Sequence, residues 1–179
     1  VEKIAAIQEK YSGFTPISME TSYYDTQDLK LAFHRWTLRR RMENGVCVCT
    51  FKRPQQDGSR GEWEVEADSI MEGVMKLCQA GADWELMRIT AGGLVETCGA
   101  RFTRLAATLE IPGGKVELAL DQGVLLGRGK ELAFAEVEVE LKEGADSVAR
   151  DFAEALAEEF SLTEEPESKF ARAMTLAMT

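Results

Sequence analysis

Hydrophobic and polar residues alternate with period two through most of the middle of the chain, the mark of strands with one apolar and one polar face. Between Arg35 and Met42, Trp36, Leu38 and Met42 share one parity while Arg35, Arg39 and Arg41 share the other. Asn44-Gly45 follows, a dipeptide suited to the positive φ angles of a two-residue hairpin, and Val46 to Arg53 reads as the return strand. Glu62, Glu64 and Glu66 alternate with Trp63 and Val65. Phe134 to Lys142 sets Glu136, Glu138 and Glu140 against Val137, Val139 and Leu141. Ser18 to Asp25 and Arg101 to Ile111 read as extended, and Pro112-Gly113-Gly114 turns the chain into a return strand from Val116 to Asp121. On that strand Glu117, Ala119 and Asp121 share a face, and Gly123 to Gly129 reads as a loop with at most a short strand.

Elsewhere the apolar spacing is helical. Ile4 and Ile7 mark a short helix within Val1–Lys10, and residues 70–80 carry a stripe of Ile70, Val74, Leu77 and Cys78. Ser69 with Glu72 three residues later forms a capping box ahead of that stripe. Val148, Phe152, Leu156 and Phe160 define a helix over 146–160, and Ser168 to Met178 a last one. Residues 84–98 read as a short helix and a Gly92-Gly93 turn. The pattern predicts an α+β fold, an antiparallel sheet with helices around it. The 179 residues suit a single domain over 1–179.

Composition narrows the function classes. The mix, 45% hydrophobic and 29% charged, is that of an ordinary globular domain. No apolar run approaches the ~20 residues of a membrane helix, and Val1-Glu2-Lys3-Ile4 does not read as part of a signal peptide. A net charge of −10 disfavours nucleic acid and anionic membrane as partners. Cys47, Cys49, Cys78 and Cys98 read as reduced, buried thiols of a cytoplasmic protein. His34 is the only histidine, so histidine-based nucleophilic catalysis has little support.

The strand faces carry the candidate chemistry. A charged face on an antiparallel sheet is ordinarily solvated, but here the signs are segregated: basic at residues 35–41 and 52, acidic at 62–66 and 136–140. Rows of Glu on one strand repel each other, and hard cations such as Mg²⁺ or Mn²⁺ relieve that repulsion. Clustered Arg and Lys suit phosphate oxygens. A sheet that closes on itself would turn these faces into a lumen able to hold a metal–polyphosphate complex.

Several stretches in order then resemble a known family: Tyr23-Tyr24-Asp25-Thr26, Leu38-Arg39-Arg40-Arg41, Thr50-Phe51-Lys52, Glu62-Trp63-Glu64, Phe102-Thr103-Arg104, Leu120-Asp121-Gln122-Gly123, Ala135 to Leu141, and Ser168-Lys169-Phe170-Ala171-Arg172. Together they resemble a CYTH domain, the fold shared by class IV adenylate cyclases, thiamine triphosphatases and inorganic triphosphatases. The resemblance implies a closed or nearly closed eight-stranded antiparallel β-barrel, a tunnel with peripheral helices, and a triphosphate-containing small molecule as ligand. It implies that Arg39, Arg41, Lys52, Arg104 and Lys169 contact phosphates. Glu62, Glu64, Asp121, Glu138 and Glu140 would act at Mg²⁺ or Mn²⁺ sites, with Glu136 extending the acidic row. Lys52, Arg104 and Glu138 would carry catalysis. The family's E-x-E-x-K strand does not precede the first helix here, and the expectation is that it lies upstream of Val1. The expected reaction is metal-dependent triphosphate hydrolysis. Cyclisation of ATP, or polyphosphate binding without turnover, are the alternatives.

Overall fold

The computed structural model describes residues 1–179. Its elements run α1 (Glu2–Lys10), β1 (Thr15–Asp25), α2 (Lys30–Phe33), β2 (Thr37–Glu43), β3 (Val46–Pro54), β4 (Arg60–Glu66), α3 (Ile70–Gln79), α4 (Trp84–Thr90), β5 (Val95–Ile111), β6 (Gly114–Gly127), β7 (Lys130–Glu143), α5 (Asp146–Phe160) and α6 (Lys169–Met178). The strands form one antiparallel sheet in the order β4-β3-β2-β1-β5-β6-β7. Local signals fix most junctions. Asn44 and Gly45 hold φ angles of 49° and 87° at the β2–β3 hairpin, the backbone that a two-residue turn demands. Ser69 accepts a bond from the Glu72 amide at 3.2 Å, while the Glu72 carboxylate accepts from Asp68 N–H. Asp25, in the Tyr-Tyr-Asp-Thr stretch, is buried and accepts from the Leu31 and Ala32 amides at 2.8 and 2.9 Å, so it caps the short α2.

Period-two patterning sorts side chains between two faces. On the back face Leu38, Cys49 and Phe51 pack with Val74, Leu77 and Leu86 of α3 and α4. Further along the same face Leu118 and Leu120 pack with Ile4, Ile7 and Leu156 of α1 and α5. The front face holds the charged rows, except at one end, where Met19, Tyr23, Phe102 and Leu125 pack with Ala173 and Ala177 of α6. There α6 rides directly on β6: a Cβ added at Gly127 would lie 2.6 Å from the Ala177 amide nitrogen and 3.0 Å from the Ala173 carbonyl oxygen. Gly127→Ala is therefore expected to destabilise the protein by roughly 1–3 kcal/mol by overpacking, measured as a drop in the urea midpoint. An unchanged midpoint would show that α6 is not held by this contact. All four cysteines are free, and burial pushes Cys49 and Cys98 up to about 11. No helix is long and apolar enough to cross a membrane.

Two expectations are corrected. The sheet has seven strands, and its edges β4 and β7 are not hydrogen-bonded to each other, so it is not closed into a barrel by hydrogen bonds. Both edges carry Glu on the front face, at 62, 64 and 66 and at 136, 138 and 140. Direct pairing would set like charges opposite one another. The second correction is at Gly123–Gly129, where β6 continues to Gly127. Gly123 is no breaker there: a Cβ would lie 2.1 Å from the Arg101 carbonyl oxygen, so glycine lets two strands approach closely. The turn comes later, at Arg128 and Gly129 with φ of 48° and 75°.

Candidate functional site

Antiparallel register assembles an acidic wall on β6 and β7. Asp121 pairs with Glu136 and Ala119 with Glu138, while Arg104 on β5 lies opposite Asp121. Asp121 is 0% exposed. Arg104 grips it with a two-pronged fork, Nε to Oδ1 and Nη2 to Oδ2, both at 2.8 Å, and Nη2 also reaches Glu138 Oε2 at 3.0 Å. Lys169, the first residue of α6 and 7% exposed, donates to Glu138 Oε1 at 2.6 Å and to Glu136, and its Nζ lies 2.8 Å from Asp121 Oδ2. One turn further, Arg172 donates to Glu136 and lies near Glu165. Oxygens of Asp121, Glu136 and Glu138 lie within 4.8 Å of one another. An all-carboxylate donor set of this kind suits a hard divalent ion.

The cluster pairs three carboxylates with three cations. Burial pushes Glu138 up, but Lys169 and Arg104 outweigh it and bring the carboxyl down to about 2. Burial alone would lower Lys169 and Arg104, yet Asp121 and Glu138 raise both. A carboxyl lowered on folding contributes stability above its unfolded pKa of about 4.3 and loses it as pH falls toward its folded value. Stability is thus expected to decline between about pH 4.5 and pH 2, with a shallower slope in Glu138→Gln. Equal slopes in urea titrations of the two proteins would contradict this assignment.

The basic wall lies on β2 and β3. Arg39 pairs in register with Thr50, and Lys52 with Thr37. Arg41, 6% exposed, donates from Nε to Thr21 Oγ1 at 2.7 Å and stands 5.5 Å from the Phe102 ring. Burial, and then the neighbouring Arg39, lower Arg41 to about 10. Burial and Arg39 also lower Lys52. The Arg39 Nε–H is buried and has no hydrogen-bond partner. Crowded cations with an unused buried donor suit an anion's oxygens. Both walls line a single cavity of about 2090 Å³, together with Arg60 and the α5–α6 connection.

Of the carboxylates expected at metal, Asp121 and Glu138 lie in the cluster. Glu62 sits across the cavity 3.8 Å from Lys52, and Glu64 accepts from Thr50 Oγ1 at 3.5 Å. Glu140 lies 3.5 Å from Lys142. Arg104 and Lys169 lie against the acidic wall, whereas Arg39, Arg41 and Lys52 line the opposite one. Arg101 pairs with Glu131, and Arg40 turns away to Cys47 Sγ at 3.1 Å. Arg35 precedes β2 with φ 61° but still lines the cavity. Arg172 had a readable signal that the motif alone did not use: it lies three residues after Lys169, on the same helix face.

A protein-family model described as the CYTH domain matches residues 3–174. No match was found among curated proteins. Among solved structures, a Hippeastrum protein named as a candidate adenylyl cyclase and reported to have a dominant triphosphatase activity aligns with a TM-score of 0.69 at 20% identity, over 97% of this chain and 90% of that one. A Pyrococcus horikoshii protein aligns with a TM-score of 0.61 at 22% identity, over 100% and 95% of the two chains. A Bacillus halodurans protein named as a candidate adenylate cyclase gives 0.58 at 18% identity, over 96% and 90%. At such identities the likeness establishes the fold.

Proposed function

Since the chain belongs to the CYTH domain family, we propose that it binds the triphosphate of a small molecule in the charged cavity and hydrolyses a phosphoanhydride bond with Mg²⁺ or Mn²⁺, inorganic triphosphate being the substrate. The observation that carries this reading is the juxtaposition, around one cavity, of Glu136 and Glu138, with buried Asp121 behind them, and a basic wall whose Arg39 donor has no protein partner. The triphosphatase activity reported for the Hippeastrum protein supports the same reading.

In this reading Arg39, Arg41 and Lys52 bind phosphate oxygens from one side, and Arg104 and Lys169 reach them from the other. Asp121, Glu136 and Glu138 would hold the divalent ion, with Glu62, Glu64 and Glu140 as further carboxylates toward the cavity. The ion, when bound, neutralises charge on the phosphate oxygens. Glu138, with its low pKa, stays an acceptor and orients the attacking water. Arg104 fixes Glu138 and Asp121 at the distances given above, and Lys52 offsets charge on the departing group.

The test is phosphate release from tripolyphosphate by the protein with Mg²⁺ or Mn²⁺, run beside ATP with detection of cyclic AMP and pyrophosphate. Orthophosphate from tripolyphosphate, lost on adding chelator, is the expected result. Cyclic AMP with pyrophosphate would establish the cyclase reaction instead. Tripolyphosphate binding without turnover would establish a binding module.

A further inference from the structure

We propose that Lys169 is a built-in competitor for the divalent ion: its ammonium occupies the carboxylate triad until the metal and triphosphate arrive together, and then moves to the phosphate. The inference rests on reading Asp121, Glu136 and Glu138 as the metal site. Its basis is that Lys169 Nζ touches all three of those residues, at 2.8 Å from Asp121 Oδ2 and 2.6 Å from Glu138 Oε1, with Glu136 completing the set. An ammonium has three N–H donors; here it donates to Glu136 and Glu138 and lies 2.8 Å from Asp121 Oδ2. The Arg104 fork takes both Asp121 oxygens and Glu138 Oε2, so Lys169 holds Glu138 Oε1 and a Glu136 oxygen by itself and shares Asp121 Oδ2 with Arg104. A divalent ion held by these three carboxylates would need the space between them that the ammonium fills.

The surroundings suit an ammonium that exchanges. The Phe102 and Phe134 rings stand 5.1 and 5.7 Å from Nζ and cradle the cation without bonding it. Lys169 opens α6 at its Ser168 cap, after an exposed connection over residues 163–168. The body of α6 is held elsewhere, by Ala173 and Ala177 against the sheet. The flexible side chain can therefore leave the triad while the helix stays docked, and the cavity it also lines receives it. Three carboxylates already meet three cations in Arg104, Lys169 and Arg172. A divalent ion arriving alone would leave an excess of positive charge, whereas a metal–triphosphate complex brings the anion that the displaced ammonium needs. Metal and triphosphate thus bind synergistically, and the coupling runs through Lys169.

The test uses the full chain, stripped with chelator and dialysed. Mn²⁺ binding is measured by calorimetry for the wild-type protein and Lys169→Met, with and without a non-hydrolysed triphosphate analogue. Lys169→Met is expected to bind Mn²⁺ alone roughly tenfold or more tightly, within the usual range of coupling between linked ligands, and to lose the gain that the analogue gives the wild type. Mn²⁺ binding to Lys169→Met no tighter than to wild type would overturn the inference and leave the metal site standing. No Mn²⁺ uptake by either protein would overturn both. A second measurement needs no variant: amidination of Lys169 in the wild-type protein, quantified by mass spectrometry against exposed Lys130. Mn²⁺ is expected to raise Lys169 labelling several-fold. Unchanged or reduced labelling, with Mn²⁺ shown to bind, would overturn the competition.

Discussion

Arg104→Met is expected to destabilise the protein by roughly 3–5 kcal/mol, the range seen when one partner of a buried ion pair is removed, and to abolish triphosphate hydrolysis. Asp121 has no exposed surface, and the Arg104 fork supplies two of its contacts at 2.8 Å. Methionine fills the space but leaves three carboxylates facing two cations, one carboxylate fully desolvated. The deficit is expected to be largest at neutral pH and to shrink in acid, because protonation removes the uncompensated charge. Asp121→Asn in the same chain is expected to recover much of the stability while activity stays lost, since it removes the stranded charge but not the need for a metal ligand. Urea denaturation of the two variants measures this. A loss below about 1 kcal/mol for Arg104→Met, the worth of an exposed pair, would show that Asp121 does not depend on the fork.

Much of this site was legible because its strands obey period two. Parity alone puts Arg39 with Arg41, Glu62 with Glu64 and Asp121 with Glu117, each pair on one charged strand face; that these faces look into a cavity follows from register between strands. The cross-sheet pairing of Arg104 with Asp121 was not available by that route. It depends on register between β5 and β6, and the strand continues through Gly123 because a neighbouring carbonyl leaves no room for a Cβ. Lys169 was similarly placed by motif but not by partner. A lysine at a helix start carries no local sign of burial; α6 buries it by docking Ala173 and Ala177 on the sheet. The sheet is not closed by hydrogen bonds, and its two edges carry charge of the same sign. Strand pairing is a global property, and alternation alone says nothing about which edges meet.

Arg39→Met is expected to do the reverse of Arg104→Met: to keep or raise stability by about 1 kcal/mol, as relief of a strained functional site commonly does, while kcat/KM for tripolyphosphate falls. The buried Arg39 Nε–H has no acceptor in the protein, so removing it breaks no bond. Its charge depresses Arg41 and Lys52, so removing it also relieves repulsion between like charges. That repulsion is useful only if an anion answers it. Loss of one donor aimed at developing phosphate charge is expected to cost about 2–4 kcal/mol of transition-state stabilisation, roughly 30- to 1000-fold in rate. Added tripolyphosphate is expected to raise the melting temperature of wild type more than that of Arg39→Met, because the anion satisfies the orphaned donor in one and finds none in the other. The two readouts together separate an anion receptor from a structural arginine. A variant that unfolds readily yet hydrolyses tripolyphosphate at the wild-type rate would place Arg39 in the scaffold and remove the basic wall from the reaction.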